Sequence, residues 1–276
     1  MAAEVCELGI SHELGNEMGN LTFLAGMENM PKQKITLIIL GHSSNLFSVK
    51  RIGNWKSKLF QIANIQTIEN LPESKVDDGY LDQKFETDQL SDLIQCPPET
   101  DIAIGIIAYS FVDNFIIHRL GAKRVVISLH GINDLLSRDS ISIDSFVLKH
   151  IYEVLALKLL LGDIDNDEVH SIVHKDTRGC LFDFDGDKQD VIYNTEKPKL
   201  CEACKSEFKR RQIDANIMGD FERELKRINK PMVQRIELFI KKYPLFSLLT
   251  TGIVAIVLNV IASAIWETIR HLLNQH

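Results

Sequence analysis

An α/β fold built on a mostly parallel sheet is what the sequence predicts, and two observations carry it. Several segments are short, continuous runs of β-branched and apolar residues, the pattern of strands covered on both faces. Segments with helical spacing lie between them, so strand and helix alternate along the chain.

Taken in order, residues 1–33 are rich in Gly, Glu and Asn and read as a flexible tail. Within it His12-Glu13-Leu14-Gly15-Asn16 is similar to the HExxH zinc-protease helix. Asn16 replaces the second histidine and no apolar repeat supports a helix, so no metal is expected there. A buried strand is expected at ITLIILG (35–41), followed by a helix from Leu46 to Ile62 on its 3.6 spacing and a short strand at Ile65–Ile68. A polar loop through Pro72 and Gly79 leads to a helix near Asp88–Ile94. Strands are predicted at Asp101–Ala108 and Arg124–Leu129, joined by the loop AYSFVDNFIIHRLGA, and then a helix at Ser145–Leu161.

The stretch from His174 to Cys204 holds a ligand set. Cys201 and Cys204 form a CxxC pair, with Cys180 and His174 upstream at a separation that lets two loops converge on one ion. Three thiolates and an imidazole satisfy zinc without an open position, the mark of a structural site. His170 is the competing fourth donor. Cysteines clustered in this way argue for a reducing compartment over a disulfide framework and leave Cys6 and Cys96 as free thiols.

The order of these elements, with GIIAYSFVDNFIIHRLGAKRVVISL in the middle and GCLFDF followed by CEAC, resembles the archaemetzincins, zinc metalloproteases of the metzincin group. The resemblance covers residues 34–205 and implies a metzincin-like mixed, mostly parallel sheet with a zinc knuckle. It also implies that Cys180, Cys201 and Cys204 match three of the family's four structural cysteines. Laid on the family's HExxHxxGxxH helix, LKHIYEVLALKLLLG has Glu153 at the first histidine, Val154 at the general-base glutamate and Leu157 at the second histidine. His174 falls at the third histidine and Lys175 replaces a cysteine. Leu181-Phe182-Asp183-Phe184 stands where the family has its methionine turn. The resemblance thus implies a degenerate member with a structural zinc and no catalytic one, since hydrolysis by this route needs a metal with an open position and a carboxylate base.

Weaker candidates surround this helix. His150 and Glu153 share a face and read as a surface pair or a satisfied polar edge, with a displaced metal site as the sharper alternative. His118 and Arg119, with Lys123, flank the edge where the family's substrate would lie and are candidates for binding a ligand, specifically an anion, with plain surface charge as the equal alternative. The acidic loop Asp163–Glu168 lacks the glycine and distal glutamate of a calcium loop and reads as solvated.

Beyond Cys204 the chain changes character. Ile217, Phe221, Leu225 and Ile228 form a narrow apolar stripe in a basic segment, 206–242, read as juxtamembrane helices that contact anionic headgroups, with dimerisation or packing on the domain as rivals. Residues 243–268 include YPLFSLLTTGIVAIVLNVIASAIW, uncharged over about the length of a transmembrane helix, and 269–276 form a short tail. Lys241 and Lys242 on its N-terminal flank place the large domain in the cytoplasm, as a single-pass tail anchor. Asn259 and Gly252 are candidates for self-association in the bilayer, hence a homo-oligomer. The net charge is −7, and residues 1–204 carry −12, which argues against a nucleic-acid partner.

Together these features predict a catalytically inactive, membrane-tethered binding or sensing domain acting through its span, laid out like prokaryotic antiviral defence effectors. The alternative is a residual zinc-dependent metalloprotease anchored to the membrane.

Overall fold

The computed structural model describes residues 31–74, 76–77, 83–228, 236 and 240–273. The His12-Glu13 segment and most of the N-terminal tail lie outside them. The chain divides into two compact units, Met1–Asn229 and Lys230–His276.

In the first unit a five-stranded sheet runs in the order β2-β1-β5-β8-β7, with β1 Gln33–Leu40, β2 Phe60–Ile68, β5 Ile102–Ile107, β7 Ile117–Arg119 and β8 Arg124–Ser128. All pairs are parallel except β7, which lies antiparallel on β8 with His118 opposite Val126. A smaller sheet joins β3 (Val76–Asp77), β4 (Gln83–Phe85) and β6 (Ser110–Phe111). Alternate residues of the central strands feed two cores. Ile35, Leu37 and Ile39 join Ile104, Ile106 and Ile127 on one face, while Ile38 and Leu40 pack with Ile94, Phe85 and Phe111 on the other. Both faces are covered, which is why these strands read as unbroken apolar runs.

Helices α1 (Val49–Gly53), α2 (Thr87–Ser91) and α3 (Ile132–Arg138) are short, and α4 (Ile143–Leu161) is the central element of the larger core. Ser142 caps the start of α4 by accepting from the Asp144 amide, and Gly162 ends it with a left-handed φ of 74°. The helix is buried nearly all round, so it also buries Asp144, Ser145, Lys149, His150 and Tyr152. Each therefore needs a polar partner. Arg51 pairs with Asp144 at 3.0 Å, and Ser145 donates to the Ile228 carbonyl at 3.0 Å.

The expected helix from Leu46 to Ile62 is instead α1 followed by the start of β2. The chain reverses at Ser57, whose hydroxyl accepts from the Leu59 and Phe60 amides and donates to Glu224, 167 residues away. The predicted loop between β5 and β8 contains β6 and β7, two- and three-residue strands too short to show a period. Helices α5 (Val169–Ile172) and α6 (Asp190–Glu196) precede α7 (Glu202–Arg210) and α8 (Ala215–Arg227).

Helix α8 carries the apolar stripe, and the stripe packs on the domain. Phe221, Leu225 and Ile228 are essentially unexposed, and Phe221 meets Tyr152 and Phe208 edge-on. Residues 206–228 thus pack within the first compact unit, which is the domain-packing rival that the sequence left open. Burying three large apolar side chains contributes about 2 kcal/mol each, more than a surface contact to headgroups returns.

The second unit contains α9, Pro244–Leu273, of which Pro244–Trp266 is long and apolar enough to cross a membrane. Its described large apolar side chains are all exposed, among them Leu245, Leu248 and Ile256. Gly252 and Asn259 are also exposed on it. The Thr250 and Ser263 hydroxyls donate to the carbonyls one turn back, Phe246 and Asn259, so these two satisfy themselves within the helix.

Candidate functional site: a metal cluster and a polar cavity

Two polar sites draw residues from the segment that follows α5. The first is built from the His174–Asp183 turn and the start of α7. Gly179, at φ 70°, lets the chain fold back so that Asp183 Oδ2 accepts from the amides of Arg178 and Cys180 at 2.8 and 2.9 Å. His174 is bridged to this turn through Phe182 and Phe184, and the Leu181 amide donates to the Lys199 carbonyl at 2.8 Å. That register delivers Cys201 as the residue capping α7 and Cys204 in its first turn.

The consequence is that one ligand atom each from His174, Cys180, Cys201 and Cys204 lies within 4.8 Å of every other. His174 Nε2 is 3.0 Å from Cys204 Sγ and 3.2 Å from Cys201 Sγ, and Cys180 Sγ is 3.6 Å from Cys204 Sγ. A tetrahedral zinc with Zn–S near 2.3 Å has ligand–ligand edges of roughly 3.5–3.8 Å, so the donor set fits such an ion in chemistry, with one edge at 3.6 Å and the two to His174 a few tenths of an ångström short. All four protein donors are used and none is a carboxylate, which describes a closed site. The two buried thiols, Cys180 and Cys204, do not both ionise unaided. The hydrogen bond from Cys204 brings the Cys180 thiol down to about 5, and the same contact with burial pushes Cys204 up. Among the described residues this is the one group of His, Cys, Asp and Glu side chains placed to share an ion. His170, the competing donor, is outside it.

The second site is a cavity of about 350 Å³ between β7 and α4. His118 and Arg119 line it from the strand, His150, Glu153, Val154 and Leu157 from the helix, and His170 from α5. Its far wall is the segment Asp183-Phe184-Asp185. The floor is buried at His150, Val154, Leu157 and Asp183, while Phe115, Phe184, Asp165 and His170 stand at an exposed rim. Lys123 is exposed and lies away from the cavity.

His150 and Glu153 are therefore not a surface pair. Lys149 has no exposed side-chain surface and donates to Glu153 at 3.2 Å and to Asp185 at 3.3 Å. His150 Nδ1 lies 2.8 Å from the same Glu153 oxygen. Burial alone would raise the Glu153 pKa, yet the charge on Lys149 and the contacts to His150 outweigh it and hold the carboxyl at about 2. An ionised carboxylate only accepts, so Nδ1 carries the proton toward it. Burial and the neighbouring Lys149 lower the His150 pKa, which keeps the ring neutral and gives Nε2 a lone pair. That atom, like Asp183 Oδ1, is buried with no hydrogen-bond partner. At the rim, His118 pairs with Asp113 at 3.1 Å and Arg119 donates to the Asn166 carbonyl at 3.2 Å. The acidic loop serves itself: the Asp163 and Asn166 side chains accept from amides two residues on.

Lys149, Asp183, Asp185, Phe115 and Phe184 were not expected to line a binding site, Asp183 and Phe184 being placed only in the segment that replaces a methionine turn. A signal existed for the first three. Lys149 is a charge inside an otherwise apolar helical run, and FDFD alternates carboxylates with aromatic residues.

No protein-family description matches the sequence, and no curated protein matches it. Among solved structures, archaemetzincin from Methanopyrus kandleri is similar over 66% of this chain and 97% of its own, with 18% identity and a TM-score of 0.41. The likeness is a distant one of fold.

Proposed function

We propose that the chain is a membrane-tethered, non-hydrolytic binding domain in which one structural zinc, held by His174, Cys180, Cys201 and Cys204, staples the fold. The cavity between β7 and α4 is its recognition site. The observation that carries this reading is the ion-paired set of Lys149, Glu153 and Asp185, which locks the polar groups of α4 to one another rather than to an open metal position. Val154 and Leu157 put apolar surface where a base and a ligand would be needed for metal-assisted hydrolysis.

In this reading Pro244–Trp266 spans a membrane with the large domain on the cytoplasmic side, and Asn259 and Gly252 mediate self-association. Occupation of the cavity alters how the spans associate. The layout parallels membrane effectors of prokaryotic antiviral defence, by analogy only. The test is metal analysis and peptide cleavage on the purified full chain. One zinc per chain and no cleavage are expected. A second zinc, removable without unfolding and needed for cleavage, would instead establish an anchored metalloprotease. The effector role is sunk if no trigger depolarises membranes of expressing cells and Asn259→Leu changes neither oligomer nor phenotype.

A further inference from the structure

The cavity's chemistry points to the class of ligand it takes, and this inference rests on the binding reading above. Three observations converge. First, His150 Nε2 and Asp183 Oδ1 are buried acceptors without partners, and both residues line the cavity. Buried polar atoms are nearly always paired, and leaving one unmade costs about 1–3 kcal/mol, so two in one cavity mark positions that a bound group completes. Glu153 fixes the His150 ring with Nδ1 as donor, so the unmet Nε2 accepts and calls for an N–H or O–H on the ligand.

Second, charge around the floor is unbalanced. Lys149 is shared by two carboxylates, Glu153 and Asp185, and Asp185 receives one further hydrogen bond from Asn194. Asp183 adds a third carboxyl group to the wall, one whose pKa burial raises. Of the basic side chains that line the cavity, Arg119 is turned to the Asn166 carbonyl and His118 to Asp113. An anion placed on this floor would face Glu153, Asp183 and Asp185, whereas a cation would offset their excess.

Third, the rim is aromatic. Phe115 and Phe184 are each about half exposed, at 47% and 48%, and meet edge-to-face with centroids 6.0 Å apart. Exposed phenyl rings at the mouth of a polar cavity offer apolar contact for a ligand body and a π face for a cation. A volume of about 350 Å³ sits at the small end of ligand pockets.

We propose that this cavity binds a small organic cation rich in N–H donors, an amidinium, guanidinium or primary ammonium on a flat or apolar body. Its donors meet His150 Nε2 and Asp183 Oδ1, and its body lies against Phe115 and Phe184.

The probe is benzamidine, with neutral benzamide and anionic benzoate as isosteric controls. Each is titrated calorimetrically into zinc-loaded full-length protein in detergent micelles. Benzamidine is expected to bind one site per chain at least tenfold more tightly than benzamide, with no binding of benzoate. His150→Leu should weaken benzamidine tenfold or more. Should that variant fail to fold, the His150 Nε2 nitrogen resonance of the unmodified protein replaces it as the readout, and it should shift when benzamidine binds. Phe184→Ala, at the exposed rim, should weaken binding several-fold with an unchanged melting temperature. Equal affinity for benzamidine and benzamide, or an unmoved His150 resonance, overturns the proposal. So does a cavity that holds only ordered water at saturating benzamidine. A chain with one zinc, no cleavage and no benzamidine binding refutes the ligand class and leaves the binding reading standing, whereas a second, catalytic zinc refutes both.

Discussion

Lys149 and Glu153, one helical turn apart on α4, form an ion pair of 3.2 Å in which the ammonium has no exposed surface. Removing one member of such a pair strands the other charge in the interior, which is costlier than removing both. Lys149→Met is expected to destabilise the domain by about 4 kcal/mol, because it leaves Glu153 and Asp185 facing each other. The triple change Lys149→Met, Glu153→Gln and Asp185→Asn should recover at least half of that loss. Urea unfolding of the series measures the difference.

Acid should weaken the domain in two steps. His150 is held below its ordinary pKa in the fold, so the unfolded chain takes up its proton first, and stability begins to fall as the pH drops below about 6.5. Glu153 is held at about 2 against an ordinary 4.5, so its contribution is complete above about 4.5 and is lost between there and 2. That second loss is on the order of 3 kcal/mol. Melting temperatures from pH 8 to 2 in zinc-saturated buffer test this. His150→Phe should flatten the upper part of the profile and leave the lower part in place.

The metal cluster is expected to behave as part of the fold. Cys201→Ser or Cys204→Ser should abolish zinc retention and cost about 4 kcal/mol, which for a unit of this size lowers the melting temperature by roughly 10 °C. His174→Ala should do the same, while His170→Ala, outside the cluster, should leave zinc content unchanged. Metal analysis with thermal unfolding separates the four variants.

Truncation distinguishes two boundaries. A chain ending at Asn229 keeps the first compact unit whole and should fold, stay in solution and bind one zinc. A chain ending at Lys205 keeps all four ligands but loses the Glu224 carboxylate, which accepts from Tyr152 at 2.6 Å, Ser57 at 2.6 Å and the Lys58 amide at 2.7 Å. It also uncovers the surface under Phe208, Phe221 and Ile228. That shorter chain should aggregate or unfold.

Much of this architecture was legible because the physics that forms it is local. The runs at β1, β5 and β8 are buried on both faces, and α4 carries its own cap and stop, so both announce themselves in residue order. The ligand cluster was legible because CxxC spacing is fixed by the start of a helix. The split of the Leu46–Ile62 segment was not, because what turns the chain at Ser57 is a carboxylate 167 residues downstream. The burial of His150 and the ion-pairing of Glu153 were hidden for the same reason. Their environment is set by Lys149 together with Asp185, which arrives from beyond the metal cluster.

The contacts of α8 also set a clock. Ser57 meets Glu224 across 167 residues, and Ser145 meets the Ile228 carbonyl across 83, so the two longest helices of the compact unit and its first turn close only together. Loop-closure entropy must be met before such distant contacts return anything, which makes folding slow relative to proteins of local topology. A chain emerging as far as Cys204 already contains every described strand and all four residues of the metal cluster, yet its largest core stays ajar around Tyr152. The final closure waits on α8, near the end of the first compact unit, so that unit becomes complete only once the chain has been made to about Ile228.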